Sequence, residues 1–237
     1  MQNKSEIKLT NKARREQERK KKQKRMQIIM WTTGVCFIAI IAIAIIFQPK
    51  AKPLEVAYDQ LPVMGQADAP VKIVEFGDYK CPSCKYFAEQ IMPQLKADYI
   101  DTGKASLYFM NDTIIWEDST TAALAAQAVF HQSNDEFWKY YEALFKNQQA
   151  DEHAVWATPD FLTELAKSNE IKVDYDKLRT DIENQTYLDE VKQHTNFAQR
   201  DAKVTATPTL LINGVKFENV FDYAALKKAI DSAIGES

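Results

Sequence analysis

Glu75-Phe76-Gly77-Asp78-Tyr79-Lys80-Cys81-Pro82-Ser83-Cys84 is the stretch on which the reading of this chain turns. It begins inside Val71-Lys72-Ile73-Val74-Glu75-Phe76, a short, β-branched, mostly apolar run that reads as a buried strand. Gly77-Asp78-Tyr79-Lys80 breaks that run. A helix is predicted from about Pro82 to Tyr99, with Phe87, Ile91, Leu95 and Tyr99 recurring every fourth residue on one face. Pro82 suits a first helical turn, where no N–H is required, whereas Pro93 should kink the helix. The cysteines therefore sit just past a strand and at the start of a helix. Free N–H groups and a partial positive charge at that place favour a thiolate at Cys81. Such sites lower a cysteine pKa from about 8.5 into a range of roughly 3.5–7.5. Cys84, one turn on, should be more buried and can resolve or reclose a disulfide. Pro82 restricts the loop, and the Ser83 hydroxyl is placed to donate to the Cys81 sulfur.

Working outward, Ala105 to Met110 reads as a second strand, completing a β-α-β unit with parallel strands. From Trp116 to about Lys203 no strand is predicted. Glu117 to Phe130 is alanine-rich and helical, with Ser119 and Thr120 available as caps. Phe137, Tyr141, Leu144 and Phe145 mark a second helix. Pro159 opens a third, with Phe161, Leu162 and Leu165 inward. Tyr175, Leu178 and Ile182 mark a fourth, and Leu188, Val191, Thr195, Ala198 and Ala202 line a longer fifth. Sheet then returns: Thr209 to Ile212, Asn213-Gly214 as a type I′ turn, and Val215 to Phe217 form a hairpin, closed by a helix from Phe221 to Ile234. The order is β-α-β, helical block, β-β-α.

The formal net charge of -3 conceals two different segments. Met1 to Arg25 holds eleven Lys/Arg against three Glu, a net of +8, and Gln48 to Ser237 holds nineteen Lys/Arg against thirty Asp/Glu, a net of -11. Between them Ile28 to Phe47 carries no charge; as a helix its twenty residues rise roughly 30 Å, about the hydrocarbon thickness of a bilayer. The positive-inside rule puts the basic side in the cytoplasm and the acidic remainder outside the cell. A cleaved signal peptide would have a shorter apolar region and a small-residue cleavage site, which Gln48-Pro49-Lys50-Ala51-Lys52-Pro53 does not supply. We therefore expect a retained single-pass anchor, with the basic head setting topology and touching anionic lipid rather than nucleic acid. Cys36, within the apolar run, reads as a small hydrophobe. The two cysteines left in an exported domain are three positions apart; they cannot staple a scaffold and point to thiol chemistry.

The segment from Glu75 to Cys84 resembles the active-site region of the DsbA-like branch of the thioredoxin superfamily, and is most similar to its membrane-anchored Gram-positive members of the BdbD type. The resemblance covers about Leu61 to Ile234. It includes a helical block within a thioredoxin-like fold and Thr207-Pro208-Thr209 just before the hairpin. It implies an α/β, thioredoxin-like fold with an inserted all-helical subdomain, preceded by one transmembrane helix. The expected divisions are a basic cytoplasmic head (1–27), an anchor (28–47), a tether (48–60), a first thioredoxin-like part (61–116), the helical insert (117–203) and a second thioredoxin-like part (204–237). The resemblance further implies a cis Pro208 lying against the cysteines. Thr207 would expose backbone groups able to pair with an extended substrate. Family members often carry a buried acid where Glu75 stands, so Glu75 is expected to accept a proton from Cys84 during exchange. Without the resemblance, Glu75 reads equally well as a carboxylate pointing to solvent at a strand end.

The implied activity is disulfide introduction into newly exported proteins. Cys81 is then the nucleophile and Cys84 the resolving thiol, no organic cofactor is needed, and a quinone-linked membrane partner reoxidises the pair. One departure bears on strength. Strongly oxidising relatives commonly carry His where Ser83 stands, so a milder oxidant is expected within the superfamily's span of about -270 to -120 mV. Rival readings are an anchored reductase or isomerase of the same fold, and a non-enzymatic chaperone or adaptor using the groove beside Thr207-Pro208. His131, His153 and His194 form no spaced ligand set with the cysteines, which argues against a metal site or a metal carrier. The acidic exported surface leaves Ca²⁺ binding open, although no loop shows a recognisable oxygen-ligand spacing. Phe137, Trp138, Tyr140, Tyr141 and Phe145 are aromatic at helical spacing and read mostly as core, with a few available to line a substrate groove.

Overall fold

The computed structural model describes residues 3–46 and 52–235. The chain divides into two units, Met1–Ala51 and Lys52–Ser237. In the first, α1 (Asn3–Ile46) is one uninterrupted helix. Within it, Glu18–Ile41 is long and apolar enough to cross a membrane. Apolar side chains including Ile28, Trp31, Phe37 and Ile38 are exposed along it. Thr33 returns its hydroxyl to the Ile29 carbonyl at 2.8 Å, so its polar group is satisfied within the helix. The expected anchor over 28–47 lies in α1 except for Phe47. That residue and positions 48–51 of the expected tether are outside the described residues.

The second unit is built on a five-stranded sheet of order β1-β3-β2-β4-β5. Its strands are β1 (Val63–Met64), β2 (Val71–Gly77), β3 (Ala105–Asn111), β4 (Thr209–Ile212) and β5 (Val215–Phe217). β2 is central. It pairs in parallel with β3 and antiparallel with β4, while β1 and β5 add antiparallel edges. Because side chains alternate along a strand, β2 feeds two cores. Val71 and Ile73 enter the larger one with Leu107, Phe109 and Leu210, whereas Val74 and Phe76 enter the smaller one with Tyr108, Met110 and Leu211. By the same parity Glu75 lies on the face of the larger core.

The β2–β3 crossover is helical from Pro82 to Ile100 but not uniform. α2 (Pro82–Tyr86) and α3 (Met92–Leu95) are each followed by a π-helical turn, Phe87–Ile91 and Lys96–Ile100. The widened turn ahead of Pro93 accommodates its missing N–H, so the irregularity expected at Pro93 takes the form of a π-turn. Phe87, Ile91, Leu95 and Tyr99 are all buried, as their spacing requires. Between β3 and β4 lie α4 (Ser119–Phe130), α5 (Asn134–Lys146), α6 (Pro159–Ser168), α7 (Tyr175–Glu183) and α8 (Leu188–Asn196), the last continued by a π-turn over Phe197–Asp201. α9 (Tyr223–Gly235) closes the chain.

Several local expectations need correction. The tether is shorter than 48–60. Leu54, Val56 and Tyr58 pack on the smaller core, and the Leu54 N–H donates to the Gly214 carbonyl at 2.9 Å. β1 has only two residues, too few to carry the alternation that marks a strand in sequence. Neither Ser119 nor Thr120 caps α4. Asp118 holds the cap position, and Ser119 Oγ instead accepts from the Trp116 N–H at 3.1 Å. Phe221 stands outside α9, exposed, with its ring edge-on to Tyr86 at 5.5 Å between centroids.

The hairpin turn has the expected conformation, with φ of 47° at Asn213 and 79° at Gly214. Asn213 also ties the turn to β2: its side-chain oxygen accepts from the Lys72 N–H at 2.8 Å. Gly214 cannot be replaced freely, since a Cβ there would lie 2.6 Å from the Leu54 carbonyl oxygen. Gly214→Ala is expected to lower stability by about 1–3 kcal/mol through positive-φ strain and that clash, read as a fall in the urea unfolding midpoint.

Candidate active site

β2 ends at Gly77, and Asp78 to Lys80 carry the chain round to Cys81, which sits at the N-cap of α2 with Pro82 at the first helical position. The turn is held by buried polar contacts. The Asp78 carboxylate accepts from the Lys80 N–H at 2.9 Å and from the Ile114 and Ile115 N–H groups at 2.9 and 3.0 Å. Burial raises the Asp78 pKa, with those donors working against it. The Gln148 amide, from beyond α5, donates to the carbonyls of Tyr79 at 2.8 Å and Cys81 at 3.0 Å. Lys80 is fully buried. Its ammonium pairs with Asp118, donates to the Ala154 carbonyl at 2.7 Å and lies 5.8 Å from the centre of the Trp156 ring. Asp118 also accepts from the Trp156 and Ala157 N–H groups, both at 2.9 Å. Burial opposes the Asp118 charge, but Lys80 and these amides outweigh it and hold its pKa below the usual range. Breaking such a pair from one side leaves a buried charge uncompensated and typically costs 3–5 kcal/mol, so the loop is tightly fastened.

The two sulfurs are unequal. Both are free thiols here; Cys81 is 5% exposed and Cys84 is 0% exposed, so a partner can reach the pair only at Cys81. The Cys81 pKa is lowered to about 6. The leading cause is a hydrogen bond from the Cys84 thiol; burial opposes it, and the Thr207 side chain and the backbone N–H groups of Cys84 and Ser83 add to it. The Ser83 contribution is therefore its main-chain N–H, and no hydrogen bond from its hydroxyl to Cys81 is present. The Cys84 pKa is raised well above the usual value by burial first, then by its bond to Cys81 and by the charges of Cys81 and Glu75.

The Thr207–Pro208 peptide bond is cis and lies against the pair. The Thr207 carbonyl oxygen accepts from the Cys81 thiol at 3.4 Å, while its hydroxyl is buried with no hydrogen-bond partner. Once Cys81 loses its proton that carbonyl has nothing to accept, and the hydroxyl is the group able to donate to the anion. Glu75 is fully buried beneath the pair, so the solvent-facing alternative does not hold. The Tyr141 hydroxyl donates to Glu75 Oε2 at 2.8 Å, and Oε1 has no partner. The Glu75 pKa is raised to about 8, by burial first and by the nearby Cys81 charge, against the opposing Tyr141 hydrogen bond.

Sequence reasoning reached Cys81, Cys84, Glu75, Pro82, Ser83, Thr207 and Pro208, all of which stand at this site. It did not reach Tyr141, Gln148, or the Lys80–Asp118 pair. In sequence Tyr141 is one of several core or groove-lining aromatics, and the one signal for Lys80 is a cation directly before the cysteine pair. A dithiol with one accessible, acidic sulfur and one buried, weakly acidic sulfur is suited to thiol–disulfide exchange in which Cys81 takes part in every mixed disulfide.

A family model described as Thioredoxin matches residues 59–232. Disulfide bond formation protein D of Bacillus subtilis is 38% identical over 173 residues, covering 73% of this chain and 77% of that protein. A Bacillus cereus protein named as a probable disulfide bond formation protein D is 38% identical over 198 residues, covering 83% of this chain and 90% of its own length. The crystal structure of oxidised BdbD from Bacillus subtilis superposes with a TM-score of 0.73 at 35% identity, covering 79% of this chain and all of that one.

The two shifted groups act on stability with opposite sign. Cys81 titrates lower in the folded dithiol than in an unfolded chain. Its stabilisation is therefore fully present above the unfolded value of 9.0 and is lost as pH falls through about 6; at pH 7 it amounts to about 1.4 kcal/mol. Glu75 titrates higher when folded, so its contribution is most favourable below 4.5 and is lost as pH rises toward about 8. Cys84→Ala removes the leading donor to Cys81. The thiolate absorbance of the variant is expected to titrate well above the midpoint near 6 of the parent dithiol, back toward the range of an ordinary cysteine.

Proposed function

This chain belongs to the DsbA-like branch of the thioredoxin-fold thiol–disulfide oxidoreductases, and on that footing we propose that it is anchored in the cell membrane and introduces disulfides into exported proteins outside the cell. The observation that carries the proposal is the asymmetry of the pair: Cys81, which alone keeps some surface and has a pKa of about 6, against a fully buried partner whose pKa is raised. A disulfide whose Cys81 leaves readily as a thiolate is a good acceptor of electrons from substrate thiols.

In the reaction, a substrate thiolate attacks Cys81 Sγ, the Cys81–Cys84 bond breaks, and Cys84 leaves with the electron pair and takes up a proton. A second substrate thiolate then attacks the substrate sulfur of the mixed disulfide and releases Cys81 as a thiolate. The substrate ends oxidised by two electrons and the pair reduced by two. Glu75, neutral at pH 7 with its raised pKa, supplies the proton to Cys84 and accepts it back when the disulfide re-forms. No organic cofactor enters these steps. A quinone-linked membrane protein accepts the two electrons and restores the disulfide.

The Thr207 backbone offers an edge along which an extended, unfolded substrate can pair, and Pro82 and Ser83 tune the pair. The apolar stretch of α1 and the +8 charge of Met1 to Arg25 support a single-pass anchor with the basic end in the cytoplasm. That leaves Cys81 on the outer side, near both emerging substrates and a membrane-bound reoxidase.

The full chain, oxidised and added to a reduced, unfolded disulfide protein, is expected to transfer its disulfide rapidly, and Cys81→Ser to abolish transfer. A Cys81→Ser variant that oxidises substrate at the parent rate would sink the mechanism. In intact cells a membrane-impermeant thiol reagent should label the reduced protein in a Cys81-dependent manner; labelling only after lysis would reverse the proposed orientation.

A further inference from the structure

Glu75 occupies the middle of the central strand, opposite Phe109 on β3 and Leu210 on β4. A fully buried carboxyl in that position is oriented by its protein neighbours, which decide the oxygen that is free to exchange a proton. One hydroxyl does this. Tyr141 on α5 is fully buried and donates to Oε2 at 2.8 Å. Its ring has little freedom to turn away. It packs edge-on against Phe109 at 5.3 Å and Phe145 at 4.8 Å, with Trp138 at 5.3 Å on a further side. The other carboxyl oxygen, Oε1, accepts from nothing and lies toward Gly77, where a built Cβ would stand 3.3 Å away.

We propose that Tyr141 is a positioning residue for the redox reaction: its O–H fixes the Glu75 carboxyl so that Oε1 is the atom that exchanges a proton with Cys84. This rests on the reading of Glu75 as the proton acceptor. With Oε2 committed to Tyr141, the proton of neutral Glu75 resides on Oε1. When Cys84 attacks a mixed disulfide at Cys81 with Glu75 ionised, its S–H proton passes to the vacant Oε1, its sulfur bonds to Cys81 Sγ, and the partner thiol leaves as a thiolate with the electron pair. The Tyr141 bond is worth more to the carboxylate than to the neutral acid, because hydrogen bonds to charged acceptors are the stronger ones. Tyr141 therefore also sets the pH at which Glu75 is available as a base.

The test uses the reduced full chain with Cys36→Ser throughout, so that only the active-site pair reacts. Fast mixing with an aromatic disulfide releases aromatic thiol in two phases, the first from attack by Cys81 and the second from resolution by Cys84. Tyr141→Phe keeps the ring packing and removes only the donor. It is expected to leave the first phase unchanged. The acidic limb of the second phase should move up by about one pH unit, slowing resolution up to about tenfold at a given pH on that limb. Fluorotyrosine at position 141, a stronger donor of the same shape, should move the limb downward, and this readout survives even if the phenylalanine variant folds poorly. Glu75→Gln should remove the limb, and adding Tyr141→Phe to Glu75→Gln should change nothing further.

If Glu75→Gln moves the profile and both Tyr141 variants leave it in place, the positioning role is wrong and the Glu75 reading stands. A double variant that shifts beyond Glu75→Gln alone would mean that Tyr141 acts through another group, which also overturns the proposal. If Glu75→Gln leaves the profile unmoved, the Glu75 reading fails and this inference falls with it.

Discussion

The hydrogen bond from the Cys84 thiol to the Cys81 sulfur is the interaction on which the rest of the site depends. It is the largest single cause of the low Cys81 pKa, and the residue that donates it is fully buried one helical turn on. Burial first, and then the same bond, make Cys84 a poorer acid, which separates the two thiols into a leaving group and a reserve. Forming the disulfide removes that donor along with the anion it stabilises. The reduced state thus gains a stabilised thiolate that the oxidised state cannot have, which is why such a pair gives up its disulfide readily.

That geometry is maintained by polar groups enclosed around it. Asp78 holds both sides of the turn, Gln148 holds two of its carbonyls, and the Lys80–Asp118 pair fastens it to the segment around Trp156. Each of these groups is costly to bury and is stabilising only when every partner is present. The helices between β3 and β4 supply Asp118, Tyr141 and the region of Gln148, so they form part of the redox site as well as a cover for the sheet. Unlike Asp78 and Asp118, Glu75 keeps an unpartnered carboxyl oxygen, which suits a group that must change protonation state rather than hold a loop in place.

Much of the architecture was legible along the chain. β2, β3 and the Asn213-Gly214 hairpin rest on nearest-neighbour rules, namely β-branched runs and a turn that demands positive φ. The cysteine pair at a helix start follows from the same local grammar, with Pro82 as its marker. The strand β1 escaped because two residues carry no period, and the π-turns because they are adjustments of a helix to Pro93 and to packing. Ser119 pairs with the Trp116 amide and Asp118 with Lys80, and neither side chain caps the helix, because these partners outweigh the local capping rule.

What the amino-acid order by itself determined is the set of groups available and their local conformation: which runs are strands, where a helix begins, and which apolar stretch suits a bilayer. What only the tertiary structure decided is the acidity of those groups. Cys81, Glu75 and Cys84 take their altered pKa values from burial and from partners such as Tyr141 and Thr207, which are 66 positions from Glu75 and 126 from Cys81. Desolvation and hydrogen-bond geometry depend on distance in space, and that distance is set only when the sheet and its helices close over the site.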